Sequence, residues 1–116
     1  MAIWINPACS KCRLATEALD AAGVEYTVRR YLDDPPTRAE LDEVLGRLGL
    51  EPWDVTRTGE PEAAAVAALG RTPEDRDAWV QALVDHPRLI QRPILTADDG
   101  TTVIGRDPES LARVLP

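Results

Sequence analysis

The chain has 116 residues, 44% of them hydrophobic and 28% charged, enough to bury one core without disulfides or metals as staples and too apolar to remain disordered. Twenty acidic residues against thirteen basic ones give a net charge of -7, which disfavours nucleic acid and anionic membrane surfaces as partners. No run approaches the ~20 apolar residues of a membrane span, and MAIWINPACS at the N-terminus has neither a basic region nor a signal-length apolar stretch. The expectation is a cytoplasmic, monomeric, single domain over residues 1–116.

Ala2-Ile3-Trp4-Ile5, ended by Asn6-Pro7, reads as a buried strand running into a turn. Leu14, Ala15, Ala18, Leu19 and Ala22 recur at offsets of three and four and Gly23 follows, which predicts a helix starting at Cys9 or Ser10. Val24 to Tyr31, with Val24, Tyr26 and Val28 alternating, reads as a second strand and completes a β-α-β unit. Thr37-Arg38-Ala39-Glu40 is a capping box opening a helix that carries Leu41, Val44, Leu45 and Leu48 and stops at Gly49.

After a turn at Pro52-Trp53, the alanine-rich stretch from Pro61 to Leu69 reads as helical. Thr72-Pro73 reads as the cap of a further helix bearing Trp79, Val80, Leu83 and Val84 and ending at His86-Pro87. Ile94 to Thr96, the turn signal Asp99-Gly100 and Thr102 to Ile104 form a hairpin, and Asp107-Pro108 caps a last helix. The pattern is an α/β fold, a mixed sheet flanked by helices in the order β-α-β, helical insertion at about 37–90, then β-β-α.

The chemistry concentrates in Asn6-Pro7-Ala8-Cys9-Ser10-Lys11-Cys12-Arg13. A cysteine at a helix N-terminus faces unpaired backbone amides and the positive end of the dipole, which favours its thiolate; the same amides suit an oxyanion. Lys11 and Arg13 add positive charge. Two cysteines three positions apart in a chain that needs no staples read as redox-active, with Cys9 the nucleophile and Cys12 its resolving partner, more than as half of a zinc site that only His86 could extend. His86 sits at a helix end and reads as structural. Arg92-Pro93 opens a strand after a long helical stretch, a position suited to a cis proline beside the cysteines.

Asn-Pro-Ala-Cys at residues 6–9, Tyr31-Leu32-Asp33-Asp34-Pro35-Pro36-Thr37-Arg38, Arg57, His86-Pro87, Arg92-Pro93-Ile94 and Arg106-Asp107-Pro108 together resemble the ArsC-type arsenate reductases across nearly the whole chain. The resemblance implies a thioredoxin-like fold with a helical insertion, a cis bond before Pro93, and thiol-dependent reduction of arsenate to arsenite. It implies Cys9 as the nucleophile and Arg57, Arg92 and Arg106 as the arginines that hold the oxyanion, a role suited to the planar guanidinium fork. No bound cofactor is implied. Glutathione or another small thiol is the implied co-substrate, with glutaredoxin or thioredoxin as electron donor.

Two positions depart from the family pattern: Ile5 stands where familiar members carry a histidine, and Cys12 stands where they lack a cysteine. The CxxC also fits a Spx-type redox-sensing regulator that binds RNA polymerase, or a general thiol-disulfide oxidoreductase. The Asn6-Pro7-Ala8 lead-in and the full arginine set favour the reductase.

Overall fold

The computed structural model describes residues 1–116. In chain order the elements are β1 (Ala2–Ile5), α1 (Ser10–Ala21), β2 (Thr27–Arg30), α2 (Arg38–Leu48), 3-10 turns at Pro52–Val55 and Pro61–Val66, α3 (Arg76–Asp85), a 3-10 turn at Pro87–Leu89, β3 (Ile94–Thr96), β4 (Thr102–Ile104) and α4 (Pro108–Ala112). They fall into two compact units, Met1–Asp34 with Arg92–Pro116, and Pro35–Gln91. This is the mixed α/β arrangement expected, with β-α-β and β-β-α segments on either side of the helical stretch.

In the first unit a four-stranded sheet has the order β2-β1-β3-β4. The α1 crossover makes β2 parallel to β1, whereas β3 runs antiparallel to β1 and the tight turn at Gly100 (φ 93°) makes β4 antiparallel to β3. Ile3 pairs with Val28 on one side and Leu95 on the other, and Leu95 pairs with Val103. Ile3, Leu95 and Val103 meet Ala15 and Leu19 of α1 and Val114 in one core, with Leu111 and Leu115 packed against it.

The second unit is held by helix packing. Thr37 and Glu40 form the predicted capping box at α2, and Gly49 (φ 68°) ends it in the left-handed conformation that glycine adopts without cost. Trp79 of α3 meets Trp53 edge-to-face at 6.1 Å, and its indole N–H donates to the Gly70 carbonyl at 3.0 Å.

Three expectations are corrected. The second strand covers only Thr27–Arg30, because Gly23 (φ 70°) and the Val24 N–H donating to the Leu19 carbonyl close α1, so that residues 24–26 are spent on the return. The alanine-rich stretch forms a 3-10 turn over Pro61–Val66; six residues gain too few i to i−4 bonds to offset nucleation. Thr72 does not cap α3: its carbonyl accepts from Asp75 N–H in a turn, the Asp75 carboxylate is taken by Gly70 N–H at 2.8 Å, and the helix begins at Arg76.

Gly105, just after β4, lies where a Cβ would come within 2.5 Å of Leu95 Cδ1 and 2.9 Å of Leu111 Cδ2. Leu95 is fully buried and has little room to yield. Gly105→Ala should therefore lower unfolding free energy by about 1–3 kcal/mol, read from urea denaturation midpoints.

Candidate functional site: a thiolate at the end of the sheet

The strand register decides which residues can meet. Ile5 pairs with Arg30, so Tyr31 follows beside Asn6. Trp4 pairs with Ile94, so continuing β3 backwards brings Pro93 and Arg92 alongside Ile5 and Asn6. Ile94 also pairs with Ile104, and Gly105 N–H donates to the Pro93 carbonyl at 2.9 Å, which carries Arg106 to the same end. The Arg92-Pro93 peptide bond is cis.

The turn between β1 and α1 sets the cysteine. Asn6 Oδ1 accepts from Ala8 N–H and the Asn6 carbonyl accepts from Cys9 N–H, both at 3.0 Å, closing the chain into the helix with Cys9 as its N-cap. Cys9 is half-buried, and Cys12, one turn on, is 1% exposed.

Burial works against a charge on Cys9, but its sulfur accepts from Cys12 N–H, the Cys12 thiol, Arg92 and Lys11 N–H, and together these bring its pKa down to about 7. Cys12 moves the other way. Burial, and then the hydrogen bond and charge of Cys9, push it up to about 11, despite a backbone hydrogen bond from Asn6 and the nearby Arg92. The lowering at Cys9 thus arises with Ile5 in place of an imidazole, and Lys11 contributes through its backbone N–H.

Arg92 is 9% exposed. Burial disfavours its charge, yet hydrogen bonds to Tyr31 and Cys9 and their Coulombic interactions hold its pKa above the usual arginine value. Arg106 Nη1 donates to the Arg92 carbonyl at 2.8 Å, so that one arginine braces the backbone of the other. Of the residues singled out in the sequence, Cys9, Cys12, Arg92 and Arg106 therefore assemble at one end of the sheet. Arg57 belongs to the second unit, where its Nε lies 3.4 Å from Glu60 Oε1 and its N–H donates to the Leu89 carbonyl. His86 closes α3, donating its N–H to the Ala82 carbonyl.

Tyr31, which the sequence marks only as part of the family-like string, joins the site: it directly follows a mostly exposed strand and is itself fully buried. A slot of about 280 Å³ shares Arg106 with the site and is lined also by Lys11, Leu14 and Leu111. No group of three or more His, Cys, Asp or Glu side chains could hold a metal ion, and no helix is long and apolar enough to cross a membrane.

A thioredoxin-like sheet with a cysteine at the N-terminus of its first helix and a buried arginine hydrogen-bonded to that cysteine is the arrangement of a thiol protein of that fold class. Comparison with known proteins makes this specific: the sequence profile of the ArsC family matches residues 4–114, and the chain belongs to that family. It is 59% identical over 117 residues to an uncharacterized protein in the glnII region of Streptomyces viridochromogenes, covering 99% of this chain and 98% of that one. It is 35% identical to an arsenate reductase of Neisseria meningitidis, over 97% of this chain and 96% of the relative. Among solved structures it resembles an arsenate reductase from Vibrio cholerae with a TM-score of 0.87 at 33% identity, over 99% of this chain and 98% of that one.

Because the thiolate is the reactive form, alkylation by iodoacetamide should fall away below pH 7 and reach its plateau above it. Cys9 should titrate with a midpoint near 7 and Cys12 should stay unmodified in the folded protein, as read by mass spectrometry. A midpoint at the free-thiol value of ~8.5 would show that the N–H groups and Arg92 do not hold the charge.

Proposed function

We propose that the protein is a thiol-dependent arsenate reductase whose nucleophile is Cys9. The observation that carries this reading is the Cys9 sulfur at the N-cap of α1, hydrogen-bonded to backbone N–H groups and to a buried arginine that favour its thiolate. The arsenate reductases among its relatives support the substrate. The backbone N–H groups and the Arg92 fork suit a tetrahedral dianion, and Arg106 adds charge on the same side. The family resemblance assigns Arg57 to the oxyanion as well.

In the proposed reaction the Cys9 thiolate attacks arsenic and an arsenate oxygen leaves as water after taking up two protons. A second thiol then attacks the Cys9 sulfur; the sulfur–arsenic bond breaks with its electron pair left on arsenic, which departs as arsenite. The two sulfurs end as a disulfide, so two thiols are oxidised for each arsenate reduced. Glutathione is the proposed second thiol, with glutaredoxin resolving the mixed disulfide.

The contact between the two cysteines favours a second route within the same reading. Cys12 is kept protonated by burial and then by the hydrogen bond and charge of Cys9, and it lies next to the sulfur it would attack once Cys9 is bonded to arsenic. A Cys9–Cys12 disulfide would pass the oxidation to thioredoxin.

Arsenate-dependent NADPH consumption, measured with a glutathione–glutaredoxin system and with a thioredoxin system, tests the proposal. Cys9→Ser should abolish turnover with both. Cys12→Ser should spare the glutaredoxin route and remove the thioredoxin one. Arg92→Lys should raise KM for arsenate about tenfold, since an ammonium cannot reproduce two parallel hydrogen bonds. Disulfide formation with no arsenate dependence in either system would point instead to a redox-sensing regulator.

A further inference from the structure

β2 is an edge strand whose residues are mostly exposed, yet the residue that follows it, Tyr31, is completely buried. Asp33 N–H and Asp34 N–H both donate to the Arg30 carbonyl, at 3.0 and 2.9 Å, and this turn fixes Tyr31 at the end of the strand. From the other side of β1 comes Arg92, placed by the register of β3. Tyr31 and Arg92 thus flank Asn6, and their side chains hydrogen-bond at the base of the Cys9 turn.

A buried phenol needs a partner, and a buried guanidinium needs several. The planar guanidinium is rigid, so fixing one of its N–H groups aims the others. Its backbone is already fixed by Arg106, at 2.8 Å from the Arg92 carbonyl. The guanidinium held by Tyr31 also hydrogen-bonds to Cys9, while its buried Nε has no hydrogen-bond partner.

We propose that Tyr31 is a positioning residue of the thiol site: its buried hydroxyl holds the Arg92 guanidinium against Cys9 and so sets the charge on that sulfur. The other charged and titratable groups at this end of the sheet are Lys11, Cys12 and Arg13 of α1, Arg30, Asp33 and Asp34 around the turn after β2, and Arg106 and Asp107 between β4 and α4; Tyr31→Phe replaces none of them. The inference deepens the functional reading by adding a residue to the same site. Its test reads alkylation, which needs no arsenate, so either can fail without the other.

In Tyr31→Phe the pH midpoint of Cys9 alkylation should rise by about 0.5–1 unit, which at pH 6 is a roughly three- to tenfold loss of thiolate. In an Arg92→Gln background, where the midpoint is already raised, Tyr31→Phe should add nothing. A merely structural tyrosine would lower the melting temperature and leave the midpoint in place, and that result overturns the proposal. An equal shift with and without Arg92 would also overturn it. Should Tyr31→Phe fail to fold, NMR of the unmodified protein decides: slowly exchanging Arg92 guanidinium protons with a nuclear Overhauser contact to the Tyr31 ring are expected, and fast exchange with no such contact would refute the idea.

Discussion

Burial and a negative charge on sulfur oppose each other, and the way this conflict is resolved at Cys9 organises the sheet unit around it. Two cysteines in one helical turn are driven to opposite ends of the thiol range, about 7 for Cys9 and about 11 for Cys12. Both feel burial as the largest influence. They differ in what faces them: Cys9, at the N-cap, collects the N–H groups that the first turn of α1 cannot use internally, whereas Cys12 meets the backbone of Asn6 and the charge of its neighbour. Loss of the Cys9 proton makes loss of the Cys12 proton harder.

That arrangement needs an arginine, and the sheet supplies it. The carboxyl ends of the parallel strands β1 and β2 open on the same side as the start of β3, because β3 runs antiparallel to β1. A ligand-binding edge at the carboxyl ends of parallel strands is common in α/β proteins. Here the strand that enters from the opposite direction brings Arg92 to that edge, and the hairpin partner β4 brings Arg106 behind it.

Features written in a few neighbouring residues were legible in the sequence. The capping box of Thr37 and Glu40, the Asp107 cap, the Asp99-Gly100 turn and the cysteine pair at a helix start each depend on contacts within a handful of positions. The outer limits of β2 and α3 were less legible, since Gly23 and Asp75 redirect the chain through bonds that periodicity does not carry. Tyr31 was legible only as part of a family-like string. Its burial comes from pairing β2 and β3 onto β1, which no local pattern records. Arg57, singled out for an oxyanion, is engaged by Glu60 three residues away, a partner the i, i+3 spacing could have suggested.

The sheet unit is assembled from the two ends of the chain, Met1–Asp34 and Arg92–Pro116. Cys9 precedes Arg92 by 83 positions, so during synthesis the cysteine emerges before the arginine that faces it in the folded sheet. The Arg92 hydrogen bond to that sulfur forms only when β3 pairs with β1, whereas the N–H groups of Lys11 and Cys12 come with the first turn of α1. The part of Cys9's reactivity that Arg92 supplies is in this sense a certificate of completed folding.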